Sequence, residues 1–282
     1  MSQPAQAAMR IHVDPTNPGQ FFACCGLLEV ADRLGDGAYG WFEGDCFLIA
    51  TAGRAVSLRD LLTAVRAIQL LEDGLDSSQG EEEDEDLEAE AKPLAITLPF
   101  RLQLDWWKDK SLKTWAGSMN ARQIFVAMCN AIDPNHPDPL NQGQVVFDPQ
   151  DSGPESTNQK KQLKKPKKRE PFYLDARRGA SAKSIDVGFA PDALKGLTTT
   201  AYPVVEALCL IGLQRCRPIP TGTPRVFDYC TWSIPLEACV IPAAVSGLLT
   251  PTETRWFRFA NAFRTDQRKH KAFTPATPIA RS

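Results

Sequence analysis

The chain has 282 residues, with 32 Lys/Arg against 34 Asp/Glu for a formal net charge of −2, and 43% of its residues are hydrophobic. That length and apolar content suit a globular protein with a substantial core, and exclude a fibrous or wholly disordered chain. The near-neutral total conceals segregation, because eleven carboxylates and no Lys or Arg lie between Glu72 and Glu90, and setting them aside turns −2 into +9. From Lys160 to Ser282, twenty-one Lys/Arg stand against nine Asp/Glu. A basic body of this kind predicts a polyanionic partner, nucleic acid being the commonest. No membrane role is expected: Met1–Ala8 has no apolar run of the signal-peptide type, and Tyr202–Leu213 is too short to span a bilayer. The eight cysteines fall inside hydrophobic runs, as expected of buried, reduced thiols in a cytoplasmic protein.

In chain order, Met9–Val13 predicts a short strand. Asn17, Pro18 and Gln20 then supply an N-cap, a first helical residue and a capping-box partner for a helix that Gly35 stops. Trp41-Phe42 and Cys46–Ala50 predict a hairpin, and Ser57 with Asp60 caps a second helix. Residues 73–92 carry too little apolar surface to offset ordering entropy and are expected to form a disordered acidic loop. Strand Leu94–Asp105 follows, then a loop bearing Trp106 and Trp107, then a helix capped by Ser118 that ends before Asp133–Pro139. Gln150–Glu170 is low in complexity and ends in seven cations within ten residues, a self-repelling run. Beyond it, Phe172–Asp175 and Ser184–Phe189 predict strands, and Tyr202–Arg215 a helix apolar nearly all round. Arg225–Ile234, Leu236–Ile241 and Arg255–Phe263 predict three further strands. The expected fold class is α+β, mostly antiparallel sheets with packed helices and two long disordered charged loops. Its expected units are 1–148, a basic linker at 149–171, and 172–282, the alternative being that the last forms one continuous domain with the first.

Catalytic signatures are missing from the sequence. The three histidines, His12, His136 and His270, show no metal-ligand spacing, and no P-loop, dinucleotide fingerprint or nucleophile elbow is present, so no metal and no cofactor is expected. Asp175 and Asp186 could pair as carboxylates of a metal-dependent nuclease, which is kept as an alternative. The basic run is the strongest local signal for phosphate contact: Lys160, Lys161, Lys164, Lys165, Lys167, Lys168 and Arg169. A solvated tether, or masking by the acidic loop, would explain the same run. Arg255, Trp256, Arg258, Arg264, Arg268, Lys269 and Lys271 interleave cations with aromatics, either to stack unpaired bases or as an ordinary amphipathic strand. Trp106 and Trp107 beside Lys108, Lys110 and Lys113 repeat that chemistry, with one indole expected at a contact surface. Arg177, Arg178 and Lys183 complete the candidate set, Arg177 and Arg178 presenting bidentate donors to phosphate or pairing with Asp175 or Asp186. Together these cations are expected to form a continuous belt.

Three segments carry a resemblance. They are Val13–Glu29 (VDPTNPGQFFACCGLLE), Phe172–Gly179 (FYLDARRG) with Ile185–Asp192 (IDVGFAPD), and Tyr202–Arg215 (YPVVEALCLIGLQR). Together they resemble the Csb-type large-subunit family of type I-G (formerly I-U) CRISPR interference complexes. The resemblance implies a non-catalytic subunit of an RNA-guided surveillance complex, Cascade, that contacts guide RNA and target DNA. It further implies recognition of the short motif beside the target, the PAM, duplex opening, and recruitment of the Cas helicase-nuclease alongside other Cascade subunits. A protein-only scaffold in the same assembly is the other alternative.

Overall fold

The computed structural model describes residues 7–72, 92–115, 120–143, 171–178, 200–249, 254–264 and 270–280. Strand β1 (Met9–His12) leads into helix α1 (Pro18–Leu34), followed by the hairpin β2 (Ala38–Glu43) and β3 (Cys46–Thr51), then helix α2 (Leu58–Arg66). Three short strands, β4 (Gln69–Leu70), β5 (Leu94–Leu98) and β6 (Leu102–Leu104), form an antiparallel sheet of their own. Helices α3 (Ala121–Asn130) and α4 (Pro203–Gly212) come next, then β7 (Ile219–Pro220), β8 (Val226–Cys230), β9 (Leu236–Glu237) and helix α5 (Ile241–Val245). Strands β10 (Trp256–Phe263), β11 (Lys271–Phe273) and β12 (Thr277–Ile279) close the described chain. One sheet has the order β1-β3-β2-β9 and another β11-β10-β8-β7, with β12 also paired to β10, and every pairing is antiparallel. The protein is therefore α+β, with antiparallel sheets and packed helices.

Local chemistry explains the helix starts. The Asn17 side chain accepts from the backbone N–H groups of Gly19 and Gln20, with Pro18 at the first helical position. The expected capping box does not close at α1, because Gln20 Oε1 instead accepts from the Asp14 N–H at 2.7 Å. At α2 the box is complete: Asp60 N–H donates to Ser57 Oγ, and the Asp60 carboxylate receives the Ser57 N–H. Asn120 caps α3, and Ser118, expected in that role, lies outside the described residues.

Helices α1 and α4 form the centre. Fourteen of the seventeen residues of α1 and all ten of α4 are buried, which no amphipathic surface helix would show. They cross at two glycines. A Cβ added to Gly26 would overlap the Leu208 carbonyl of α4, and one added to Gly212 would overlap the Phe22 carbonyl of α1. Backbones this close leave no room for a side chain between them. A single buried cluster surrounds the crossing and includes Ile11, Phe42, Leu61, Trp107, Leu208, Phe259 and Phe273.

Three expectations are corrected. Leu94–Asp105 is two strands joined by a turn, not one strand. Leu236–Ile241 holds only the two-residue β9 before α5 begins, because Pro242 suits an opening helical turn and cannot donate to a ladder. Phe172–Asp175 is irregular and leads into helical residues 176–178, with its backbone N–H groups spent on a side chain described below. The expected strand at 184–189, the acidic loop at 73–92 apart from Lys92, and the basic linker at 149–171 apart from Pro171 lie outside the described residues. Among the described residues, no helix is long and apolar enough to cross a membrane.

The glycine crossing makes a direct prediction. Gly212→Ala should lower unfolding free energy by about 3 kcal/mol through overpacking, measured by urea denaturation. Gly222→Ala, where an added Cβ meets nothing within 4 Å, should leave it unchanged.

Candidate nucleic-acid interface

Val13–Glu29, the described residues 172–178 and Tyr202–Arg215 converge at one buried junction, while Ile185–Asp192 lies outside the described residues. Asn17 Nδ2 donates to Asp175 Oδ1 at 2.9 Å, while Asn17 Oδ1 accepts from the Ala176 N–H at 3.0 Å. From α4, the Glu206 carboxylate accepts the N–H groups of Leu174 and Asp175 at 3.3 and 3.2 Å. Gly19 lets the α1 backbone approach, since a Cβ there would overlap the Leu174 carbonyl. Residues 172–176 are thus clamped between the starts of two buried helices. Glu206 is fully buried, and burial, then the neighbouring Asp175 charge, raises its pKa from 4.5 to about 7.

From this clamp two arginines project. Arg177 closes on Asp175, with Nη2 to Oδ2 at 2.6 Å, and donates to Asn141 Oδ1 and the Leu140 carbonyl. Its guanidinium lies 3.4 Å from the Tyr202 ring centroid. Arg178 is buried, donating to the Thr200 carbonyl and to Tyr173 Oη. The Tyr173 ring receives the Arg178 guanidinium at 4.7 Å and that of Arg264 at 3.2 Å. Asp175 itself is 0% exposed and carries bonds from Asn17 and Arg177, so its carboxylate is a structural acceptor and not an open metal ligand. Asp186, its suggested partner, lies outside the described residues.

Next to this junction, cations gather. Lys271 opens β11 opposite Phe263 of β10, and the Phe263 ring carries the Arg225 guanidinium 4.5 Å from its centroid. Lys271 Nζ donates to the Lys110 carbonyl at 2.8 Å, and its backbone N–H to the Thr114 carbonyl. Buried Asn261 holds the same loop through the Ser111 and Lys113 carbonyls. The loop is tied back to the clamp by Thr114 Oγ1, which donates to the Phe172 carbonyl. Burial, then the Arg225 and Lys113 charges, lowers the Lys271 pKa, against an opposing pull from Asp109. Burial, then Lys110, lowers that of Lys113. Among the described residues, Lys113, Lys271 and Arg225 form no ion pair. Lys113 and Lys271 are like charges held half out of water without an ion-pair partner, and such an arrangement is destabilising until an anion arrives.

The remaining expected site residues separate. Trp106 and Trp107 are buried at 0% and 1% exposure, packed edge-on against each other and Trp115, so neither is a stacking surface or wedge. A 3-10 turn over Trp106–Lys108 lets adjacent indoles both face inward, which strand geometry would forbid. Lys108 pairs with Asp105, and Arg258 makes a bidentate pair with Asp228 at 2.7 and 2.9 Å, so both charges are neutralised within the chain. Arg255 and half-buried Trp256 stand at the other end of β10, where β12 pairs with it, described below. Lys160, Lys161, Lys164, Lys165, Lys167, Lys168, Arg169, Lys183, Arg268 and Lys269 lie outside the described residues. The expected continuous belt is therefore replaced, among the described residues, by a local group of Lys110, Lys113, Lys271 and Arg225. Arg225 was missed: it sits at a turn with φ of 61°, and only its adjacency to Pro224 hinted at that turn.

Comparison with family models, with curated proteins and with solved structures returns no match for this chain.

Glu206 supplies a check on the junction. The fold favours its protonated form, so its stabilising contribution is fully present below pH 4.5 and is lost as pH rises through about 7. Unfolding free energy should fall across that window by on the order of 3 kcal/mol. Urea denaturation at stepped pH should show this slope, and Glu206→Gln should remove it whatever it does to absolute stability.

Proposed function

We propose that the protein is a non-catalytic, nucleic-acid-binding subunit of a type I CRISPR RNA-guided surveillance complex. It contacts target DNA beside the guide-paired region and works with guide RNA, the other complex subunits and the helicase-nuclease. The observation that carries the nucleic-acid part is the group of Lys113, Lys271 and Arg225, held beside the Lys110 main chain and forming no ion pair among the described residues. Phosphate oxygens would relieve that repulsion, releasing counterions as they bind. The assignment to a CRISPR assembly is supported by the three resembling segments, which meet through Asn17, Asp175 and Glu206.

Fluorescence anisotropy with a 20-nucleotide RNA and a DNA duplex tests this across a salt series. A triple Lys110→Gln, Lys113→Gln, Lys271→Gln variant should weaken binding at least tenfold and flatten the log-affinity against log-salt slope by up to about 2.7. Its melting temperature should hold or rise, since repulsion is removed, which separates lost binding from misfolding. An unchanged slope rejects the interface. Co-purification of a guide RNA and partner subunits with the tagged protein tests the assembly, and recovery of neither rejects it.

A further inference from the structure

A cleft among the described residues opens beside the start of β10, where β12 pairs with it, while β11 with Lys271 pairs at the other end of the same strand edge. It measures about 640 Å³, within the range of roughly 300–1,000 Å³ typical of small-molecule sites. One wall is the turn from β1 into α1, with His12, Asp14 and Thr16, joined by Asp45 at the tip of the β2–β3 hairpin. The other is the β10–β12 pair, with Arg255, Trp256, Phe257 and Ile279. Its walls are fixed in place. Tyr229 Oη donates to the Pro15 carbonyl at 2.7 Å, and the Ala276 N–H to the Thr16 carbonyl at 2.7 Å. Gly247 lets a turn press on the Trp256 ring, since a Cβ there would overlap the indole. Arg255 Nη2 donates to the Gly44 carbonyl at 2.8 Å, holding the guanidinium at the rim.

The chemistry of these walls is selective. Apolar surface from Trp256, Pro278 and Ile279 accepts a flat ring, and the Arg255 guanidinium retains donors for a phosphate. Asp14 is braced by Thr16, whose N–H and Oγ1 both donate to Oδ1, while the exposed Asp45 carboxylate forms no ion pair or side-chain hydrogen bond among the described residues. Two carboxylates favour a base edge rich in N–H donors and repel one rich in carbonyls. Guanine offers adjacent N1–H and N2–H donors, which one carboxylate accepts together, whereas uracil offers a single N–H between two carbonyls.

We propose that this cleft binds one unpaired nucleotide, preferring guanine, with its base against the Trp256 wall, its donor edge on Asp45 and its phosphate at Arg255. This rests on the nucleic-acid reading above and adds a base-selective site to it. Isothermal titration of the full-length protein with 5′-GMP and 5′-UMP is the test. 5′-GMP should bind at least about tenfold more tightly, following the cost of leaving a polar site group unmatched. Asp45→Asn should reduce that preference to below about threefold, and Arg255→Gln should weaken both nucleotides alike. Gly222→Ala, outside the cleft, should change neither. Equal binding of the two nucleotides, a preference untouched by Asp45→Asn, or no nucleotide binding by protein that still binds the 20-nucleotide RNA overturns the cleft assignment alone. Failure to bind that RNA as well overturns both.

Discussion

Backbone-to-backbone contact between α1 and α4, at Gly26 and Gly212, is the constraint on which the remaining geometry depends. Two helices without side chains at their crossing can sit closer than ridge-and-groove packing normally allows. That closeness brings both helix starts to the same level, where Asn17 and Glu206 face the segment 172–176 from two directions. Buried polar groups need partners, and here each supplies the other's: the irregular backbone finds acceptors in Glu206, and Asn17 finds both a donor and an acceptor. Separate the helices by the width of a methyl group and these bonds fail together.

From the clamp outward, rigidity passes to the cations. Thr114 donates to the Phe172 carbonyl, the Lys271 N–H to the Thr114 carbonyl, and the Phe273 N–H to the Tyr173 carbonyl, so β11 and the lysine loop are bonded to the clamped segment on both sides. This explains how Lys113 and Lys271 tolerate mutual repulsion. Flexible surface lysines would swing apart into water, but these have buried stems and main-chain bonds that forbid it. Free energy spent holding like charges together, with no stabilising return inside the chain, is a common sign of a binding surface.

Much of the fold was legible because its signals are local. Asn17-Pro18 and Ser57 with Asp60 marked two helix starts to the residue, since capping is a matter of three or four neighbours. Alternation along Trp256–Phe263 was equally readable, its odd-numbered residues from Phe257 to Asn261 facing the core. What failed depended on distant partners. One of Trp106 and Trp107 was expected at a surface because neighbours on a strand face opposite ways, yet Trp106 Nε1 donates to the Leu210 carbonyl of α4, more than a hundred residues away. Arg258 looked available until Asp228 appeared across the strand pair. Phe172–Asp175 has strand-like composition, but its N–H groups were claimed by Glu206. The candidate interface was legible residue by residue in Lys110, Lys113 and Lys271, and illegible as a group, because Arg225 joins it only through the Phe263 ring.

Net charge is a poor guide to such a surface. At physiological ionic strength the screening length is about 8 Å, so an anion arriving at Lys271 responds to its immediate neighbours and not to a total taken over the chain. Those neighbours are Lys110, Lys113 and Arg225 against Asp109, a local excess of cations inside a protein whose formal charge is −2. The cleft between β1 and β12 has the reverse local sign, with Asp14 and Asp45 against Arg255. Opposite preferences can therefore operate on one chain: in the proposed reading, a phosphate backbone would be drawn to the lysines, and the cleft would admit the donor edge of a base. Among the described residues, charge is thus segregated locally: cations gather around Lys271, and Asp14 and Asp45 stand against Arg255 at the cleft.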